Sequence, residues 1–373
     1  MNSANRKYWL GFSRASGIGA VRLRALLDRF GDLEAAWSAT ESALRATGIG
    51  GQAVHGLIEA RRSLDLDEEL DRLTHSGFRM LIWEDVEYPS QLLEIASPPI
   101  CLYVWGELKP ADQQSVAIVG TRRPSPYGQA VARDLATALA VHGVTVVSGL
   151  ARGIDSMAHQ ATLDAGGRTL AILGSGLDQI YPPEHGSLAA EIAAQGAVLS
   201  EFALGVHPDA ANFPIRNRIV AGLSRATVVV EAGESSGALI TADLAADQGR
   251  EVFAVPGSIY SRASRGTNRL ILSGATPMAA PEDILEALHL PLESPIDGQP
   301  PGAEQGAGLE ADLAVLLTDE PMHADDLVAR TRRSSSDVMA ALAMLELQGR
   351  AIHVGGMHFV RARRAGRVPE AEA

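Results

Sequence analysis

The sequence predicts an α/β fold: a doubly wound, mostly parallel sheet, with a helical segment before it and a small helical unit after it. Three observations carry this. Between Ser115 and about Leu290, short and nearly continuous apolar runs recur at Val116–Val119, Val144–Val147, Leu170–Leu173, Ala197–Leu199, Thr227–Val230 and Val252–Val255. Parallel strands covered on both faces have this pattern. Helix-period stretches lie between most of them, at Gly128–Val141, Ser156–Ala165, His185–Ala194 and Ala238–Gln248. That alternation makes an extended Rossmann-like sheet wound in both directions. By contrast, Tyr8 to about Arg79 is helical in period, and the chain beyond residue 308 changes pattern again.

The organisation expected is therefore a helical domain at 1–80, the Rossmann-like domain at 85–290, a linker at 291–308, a winged-helix domain at 309–365 and a tail at 366–373. At 373 residues the chain exceeds one ordinary core. In the first segment, Ser16-Gly17-Ile18-Gly19 precedes the helix Val21–Phe30, and Thr47-Gly48-Ile49-Gly50 precedes Ala53–Arg62. Gly-Ile-Gly opening a helix leaves backbone N–H groups at a positive helix end, as in helix-hairpin-helix (SAM-like) elements. A tight turn that binds nothing would look the same. The linker is rich in Pro, Gly and Glu. After it come Ala311–Leu317, Ala324–Arg330 and Ser335–Leu347, then strands Ala351–Val354 and Met357–Val360 around Gly355-Gly356. Three helices and a hairpin make a winged-helix pattern. Its third helix carries Asp337 and Glu346 and no basic residue, so a protein contact competes with DNA there.

Composition excludes several classes. An apolar fraction of 46% with 21% charged residues describes a globular chain. No run of eighteen apolar residues occurs, so no membrane span is expected, and Met1–Gly19 has no apolar stretch of a signal peptide. A single cysteine, Cys101, permits no internal disulfide or cysteine metal cluster and fits a reducing cytoplasm. Formal net charge is −13, from 32 basic and 45 acidic residues. A broad basic face is thus excluded, and any site for a polyanion is narrow and local. Only Lys7 and Lys109 are lysine, the other basic residues being arginine, whose planar fork suits phosphate.

Ligands of such sheets bind beyond the carboxyl ends of the strands. There the sequence places Gly120-Thr121-Arg122-Arg123-Pro124-Ser125, Ser148-Gly149-Leu150-Ala151-Arg152-Gly153-Ile154-Asp155, Gly174-Ser175-Gly176-Leu177 and Glu231-Ala232-Gly233-Glu234-Ser235-Ser236-Gly237. Each loop combines glycine with a hydroxyl and precedes a helix. Close backbone approach, helix N-termini and hydroxyl donors together suit an anion, and Arg122, Arg123 and Arg152 add charge. Gly174-Ser175-Gly176 lacks the third glycine of a dinucleotide fingerprint, and no Gly-Lys-Ser/Thr P-loop occurs, so no cofactor is expected. Asn212-Phe213-Pro214-Ile215-Arg216-Asn217-Arg218 sets an aromatic beside charge. Single-strand binders use that pairing, with stacking worth about 1–3 kcal/mol per base. The competing structural reading has Phe213 capping the core and Arg216 paired with a carboxylate such as Glu201. Asp155 and His159, four apart on a helix, make a structural contact rather than a metal pair, and no histidine spacing suggests a metal.

Five segments resemble the DNA-processing protein A (DprA/Smf) family: Ile118–Arg122, Ser148–Asp155, Phe213–Arg218, Gly237-Ala238-Leu239-Ile240-Thr241-Ala242 and Val255-Pro256-Gly257-Ser258. The match is collinear over about 85–290. The resemblance implies a non-enzymatic, homodimeric single-stranded DNA-binding protein that protects incoming DNA and helps load RecA recombinase in natural transformation. It assigns Arg122 to phosphate and Phe213, Arg216, Asn217 and Arg218 to the DNA groove. Gly120, Thr121, Arg123, Ser148, Gly149, Arg152, Gly174, Ser175, Asn212 and Ser235 complete the expected single-strand site, with about three phosphates held. It places the dimer contact near Asn268–Ala275, at Arg269, Leu270 and Ile271. Many relatives carry lysine just before Phe-Pro, where this chain has Pro208-Asp209-Ala210-Ala211, a departure that weakens the expected DNA contact on that side; Arg262, Arg265 and Arg269 compensate if they face the groove. The alternative is a nucleotide-binding enzyme or sensor on the same scaffold. A phosphoribohydrolase, however, has a Pro-Gly-Gly-x-Gly-Thr-x-x-Glu loop where this chain has Glu231–Gly237.

Overall fold

Burial on both faces decides the centre of the structure, a computed structural model that describes residues 3–289, 309–318, 322–331, 333–347 and 350–361. The apolar runs form β3 (Ser115–Val119), β4 (Thr145–Ser148), β5 (Thr169–Leu173), β6 (Ala197–Ser200) and β7 (Ala226–Val229), each buried at every position. β8 (Glu251–Ala254) and the short β9 (Thr276–Pro277) follow. Helices Pro126–Val141, Ile154–Asp164, Gly186–Gln195, Asn212–Leu223 and Gly237–Asp247 cover the faces.

β9 went unanticipated in the sequence, and so did two strands at the other edge of the sheet. β1 (Arg79–Ile82) and β2 (Cys101–Gly106) extend the sheet to nine strands in the order β1-β2-β6-β5-β4-β3-β7-β8-β9. β2 pairs antiparallel with β6, matching Tyr103 to Ser200, and β1 pairs antiparallel with β2. The remaining neighbours are parallel. From β3 the chain winds through β4, β5 and β6 to one side, and from β7 through β8 and β9 to the other. The winding therefore reverses between β3 and β7, the position where such sheets open a crevice.

The N-terminal helices are Ser3–Arg14, Ala20–Phe30, Leu33–Ser38, Glu41–Arg45, Gly51–Ser63 and Leu66–His75. They do not form a core of their own. Trp9, Phe12, Leu23 and Leu57 share one apolar cluster with Tyr103, Leu173 and Val198 of the sheet. Trp9 also meets Trp83 edge to face at 5.4 Å. The break expected at 80–85 is occupied by β1, and Met1–Pro295 is a single compact unit. Gly19 and Gly50 open helices without side-chain caps, as the Gly-Ile-Gly pattern predicts. The two hairpins use neighbouring glycines to pack on each other: a Cβ on Gly56 would lie 2.1 Å from the Ser16 carbonyl oxygen.

The second unit, Ile296–Ala373, is described by itself. Its helices Leu309–Leu316, Ala324–Thr331 and Ser335–Leu347 lead into β11 (Ala351–Gly355) and β12 (His358–Arg361), and β10 (Met322–His323) adds a third strand in the order β10-β12-β11. Leu313, Leu327, Leu342, Leu345 and Phe359 fill its core. This is the winged helix that the sequence predicted. The expected linker at 291–308 and tail at 366–373 lie outside the described residues. No helix among the described residues is long and apolar enough to cross a membrane.

Because Phe12 is fully buried in the cluster shared by helices and sheet, Phe12→Ala is expected to destabilise the first unit by about 3–5 kcal/mol. Loss of helical and sheet signals should coincide in denaturant unfolding followed by circular dichroism and tryptophan fluorescence. A separate early transition confined to the helical segment would contradict the shared core.

Candidate functional site

The loop after β3 is fastened at both ends to the residue that follows β7. Thr121 N–H donates to the Glu231 carbonyl at 2.7 Å. Ser125 N–H and Oγ–H donate to the two carboxylate oxygens of Glu231 at 2.8 and 2.5 Å. Ser125 also caps the helix Pro126–Val141, its Oγ accepting from Gly128 N–H at 3.2 Å. Between the fixed ends, Arg122 and Arg123 are exposed. The crevice beside this loop is a cavity of about 400 Å3 lined by Gly120, Thr121, Arg122, Gly149, Asp155, Phe213, Arg216, Asn217, Ser235, Ser236, Gly237 and Thr241, among others. Three of the four expected loops thus converge, at the reversal of winding.

The loop after β4 is built by an internal clamp. Asp155 is buried, and its carboxylate accepts from Gly149 N–H at 3.1 Å and Ala151 N–H at 3.4 Å. Leu150 between them takes a left-handed φ of 56°. Burial pushes the Asp155 carboxyl above its ordinary range, while Arg216 and the two backbone donors oppose the shift. Arg216 is itself buried, 4% exposed, and donates to the Gly149 carbonyl at 2.7 Å and to the Ile172 carbonyl. Burial lowers its pKa to about 10, with Asp155 the counteracting charge. Position 149 is closed to any side chain, since a Cβ there would lie 2.6 Å from the Arg216 guanidinium.

The arginines now separate. Arg122 lies 5.3 Å above the centre of the Phe213 ring and, like Arg123, forms no ion pair among the described residues. Arg152 pairs with Glu184 at 2.5 Å, both side chains about half exposed, and lines a small cleft with Arg122, Tyr181 and Phe213. Arg216 is held on backbone carbonyls beneath the cavity. Arg218 forms a two-bond pair with Glu201, each bond 2.6 Å, at 15% and 16% exposure. The carboxylate that the sequence reading set against Arg216 therefore belongs to Arg218. Of the charges expected on the rim, two are already committed to the protein's own shape.

Other expected residues also divide. Asn217 lines the cavity, accepting from Arg216 Nε at 3.2 Å. Ser235 lines it beside the N-terminus of the helix Gly237–Asp247, which Ser236 caps through Ala238 N–H at 3.3 Å. Ser148 is not brought to the rim: it is buried, its Oγ donating to the Ile118 carbonyl. Gly174 lies behind Phe213, and buried Ser175 donates to the Gln179 carbonyl at 2.7 Å. Asn212 starts the helix Asn212–Leu223 and does not line the cavity. The sequence reading missed Tyr181, whose ring lies 5.9 Å from that of Phe213, together with the Asp155 clamp and the grip of Glu231 on Ser125. An acid placed immediately after a buried strand of an anion site was the available signal for Glu231. His159 pairs with Thr169 Oγ1 at 2.6 Å, not with Asp155, and burial lowers its pKa to about 3, so it is a neutral core residue. No cluster among the described residues has the make-up of a metal site.

Comparison with known proteins supplies the family. A family model for DNA recombination-mediator protein A matches residues 79–289. The chain belongs to that family. A model of the DprA winged helix domain matches 298–357, in the second unit. Protein Smf of Synechocystis is 37% identical over 97% of this chain and all of its own length. The solved DprA structure from Streptococcus pneumoniae superposes with a TM-score of 0.67 at 32% identity, covering 78% of this chain and 99% of that one. DNA processing protein A from Helicobacter pylori, described for its single-stranded DNA binding mode, superposes at 0.52 with 33% identity, covering 57% and 95%.

The sorting of arginines is checked by stability. Arg218→Ala strands Glu201 in a largely buried position and is expected to cost about 2–4 kcal/mol, whereas Arg122→Ala should change stability by less than about 0.5 kcal/mol. Urea unfolding of both variants measures this. Equal losses would place Arg122 in the protein's own scaffold.

Proposed function

We propose that this pocket holds single-stranded DNA by its backbone, without hydrolysing it, and that the chain acts as a cytoplasmic mediator that presents the strand to RecA recombinase. The observation that carries the reading is Arg122, exposed, unpaired and laid on Phe213 at the mouth of a cavity bounded by helix N-termini. A guanidinium with no protein carboxylate is available to a phosphate, and the ring beneath it offers a face to a base. Tyr181 adds a second ring, its centre 5.9 Å from that of Phe213. The family membership and the Helicobacter pylori relative support the same ligand. The cavity's donors are N–H and O–H groups and arginine, and its one carboxylate, Asp155, is turned onto backbone amides. That arrangement favours binding an anion over cleaving one.

The homodimer is proposed on the β8 side of the sheet, beside the loop after β7, whose Ala232 carbonyl accepts from Gly266 N–H at 2.8 Å. The helix Arg265–Leu272 lies next to β8, and it carries Arg269, Leu270 and Ile271. Leu272 is 89% exposed there, and Ile259 and Tyr260 of the preceding loop are exposed as well. Exposed large apolar side chains gathered in one region mark an association surface. A light-scattering mass of two chains, reduced to one by Leu272→Glu, is the expected result; a monomeric wild type would contradict it.

With Arg122 and Arg123 the unpaired cations at the loop, about two phosphates are neutralised. Affinity for oligo-dT should then fall with salt at a log–log slope of about −1.4, from roughly −0.7 per phosphate. Arg122→Ala should weaken oligo-dT and oligo-dC alike, because phosphate contacts carry no sequence information. Fluorescence anisotropy measures both, with thymidine monophosphate as competitor. Salt-independent affinity, or full competition by the free nucleotide at equal concentration, would overturn the strand-clamp reading.

A further inference from the structure

Glu231 is 2% exposed, and among the described residues no lysine, arginine or histidine pairs with it. A buried carboxylate beside an anion site works against the anion unless its effect on geometry outweighs its charge. Its partners show what that effect is. The side chain accepts the N–H and Oγ–H of Ser125, and its own backbone carbonyl accepts Thr121 N–H. One residue therefore fastens both ends of the segment that carries Arg122 and Arg123. The carboxylate sits at the N-terminus of the helix Pro126–Val141, where the helix dipole stabilises negative charge without a cation. Gly128 closes the arrangement, since a Cβ there would lie 2.3 Å from Glu231 Oε2. Between the fixed ends Ile154 N–H donates to the Thr121 carbonyl at 3.2 Å, Arg123 N–H donates to Thr121 Oγ1 at 3.2 Å, and the Pro124 carbonyl accepts from Gln129 at 3.4 Å, so that beyond Thr121 no side chain from across the crevice but that of Glu231 is bonded to the loop backbone among the described residues. Glu231 does not line the cavity, so it touches no ligand there, and its contacts with the loop are what offset its unfavourable charge.

We propose that Glu231 is the positioning residue of the phosphate loop, holding Thr121–Ser125 so that Arg122 stays on Phe213 and faces the cavity. The proposal rests on the single-strand reading of the same pocket. It makes the residue after β7 a determinant of affinity without contact with DNA. The relay through Ser125, which donates to Glu231 and accepts from Gly128, couples the loop to the first turn of the helix.

A double-mutant cycle on the full-length chain tests this, with oligo-dT affinity read by anisotropy. Glu231→Gln keeps the size of the side chain but replaces one acceptor oxygen with a donor facing Ser125. Alone it is expected to weaken binding about tenfold, as Arg122→Ala does. In the Arg122→Ala background it should weaken binding by less than about twofold, because the two act through one contact. Multiplied losses, or Glu231→Gln binding like wild type while Arg122→Ala is impaired, would overturn the inference and leave the strand reading intact. If Arg122→Ala binds like wild type, the strand reading itself fails, and this inference with it. Should Glu231→Gln not fold, Ser125→Ala removes the hydroxyl half of the same clamp. Its expected loss is about threefold in the wild-type background and none with Arg122→Ala; multiplied losses there would equally count against the proposal.

Discussion

The site depends on the hold that Glu231 has on the loop after β3, where two parallel strands part company. Beyond Val119 and Val229 the chains leaving β3 and β7 turn to opposite faces of the sheet, and Thr121 N–H to the Glu231 carbonyl ties them as they diverge. Past that point two helix N-termini open toward one space, bounded by Arg122 on one side and Ser235 to Gly237 on the other. The crevice is a consequence of the winding order, which is itself a consequence of which apolar runs are buried twice. Glycine at 149 allows Arg216 under the floor, and Arg216 in turn carries the floor's backbone carbonyls.

Charge is handled locally. With 45 acidic against 32 basic residues, the chain offers no general attraction to a polyanion. The arginines expected at the site fall into three kinds. Arg216 and Arg218 satisfy backbone carbonyls and a buried carboxylate, where removing one partner strands the other. Arg122 and Arg123 have no such partner and are exposed. The Arg152–Glu184 pair is half exposed and therefore weak, so breaking it would cost the fold little. A narrow grip follows from this division, as the net charge requires.

Much of this was legible in the residues. The six central strands were marked by continuous apolar runs, because burial on both faces writes itself into every position. The convergence of the glycine loops followed from the rule that loops after parallel strands share one edge. β1 and β2 were not legible, since each is a short run whose partner is remote: Tyr103 pairs with Ser200, and no local signal announces that. The helical segment looked independent because its period is regular, yet Phe12 and Trp9 fill a cluster shared with the sheet. Within Phe213–Arg218 the sequence placed all the cations together. On a helix, residues 216 and 218 point in different directions, one into the floor and one toward Glu201. Which arginines remain available depends on partners tens of residues away, and spacing does not contain that information.

The central claim is that a strand lies across Arg122 and Phe213. Photocross-linking of oligo-dT carrying 5-bromodeoxyuridine to the full-length chain, with the adducts mapped by mass spectrometry, tests it directly. Adducts at Phe213 or Tyr181, lost in Arg122→Ala, are predicted. Adducts confined to the winged helix or to the N-terminal hairpins, unchanged in that variant, would contradict the account.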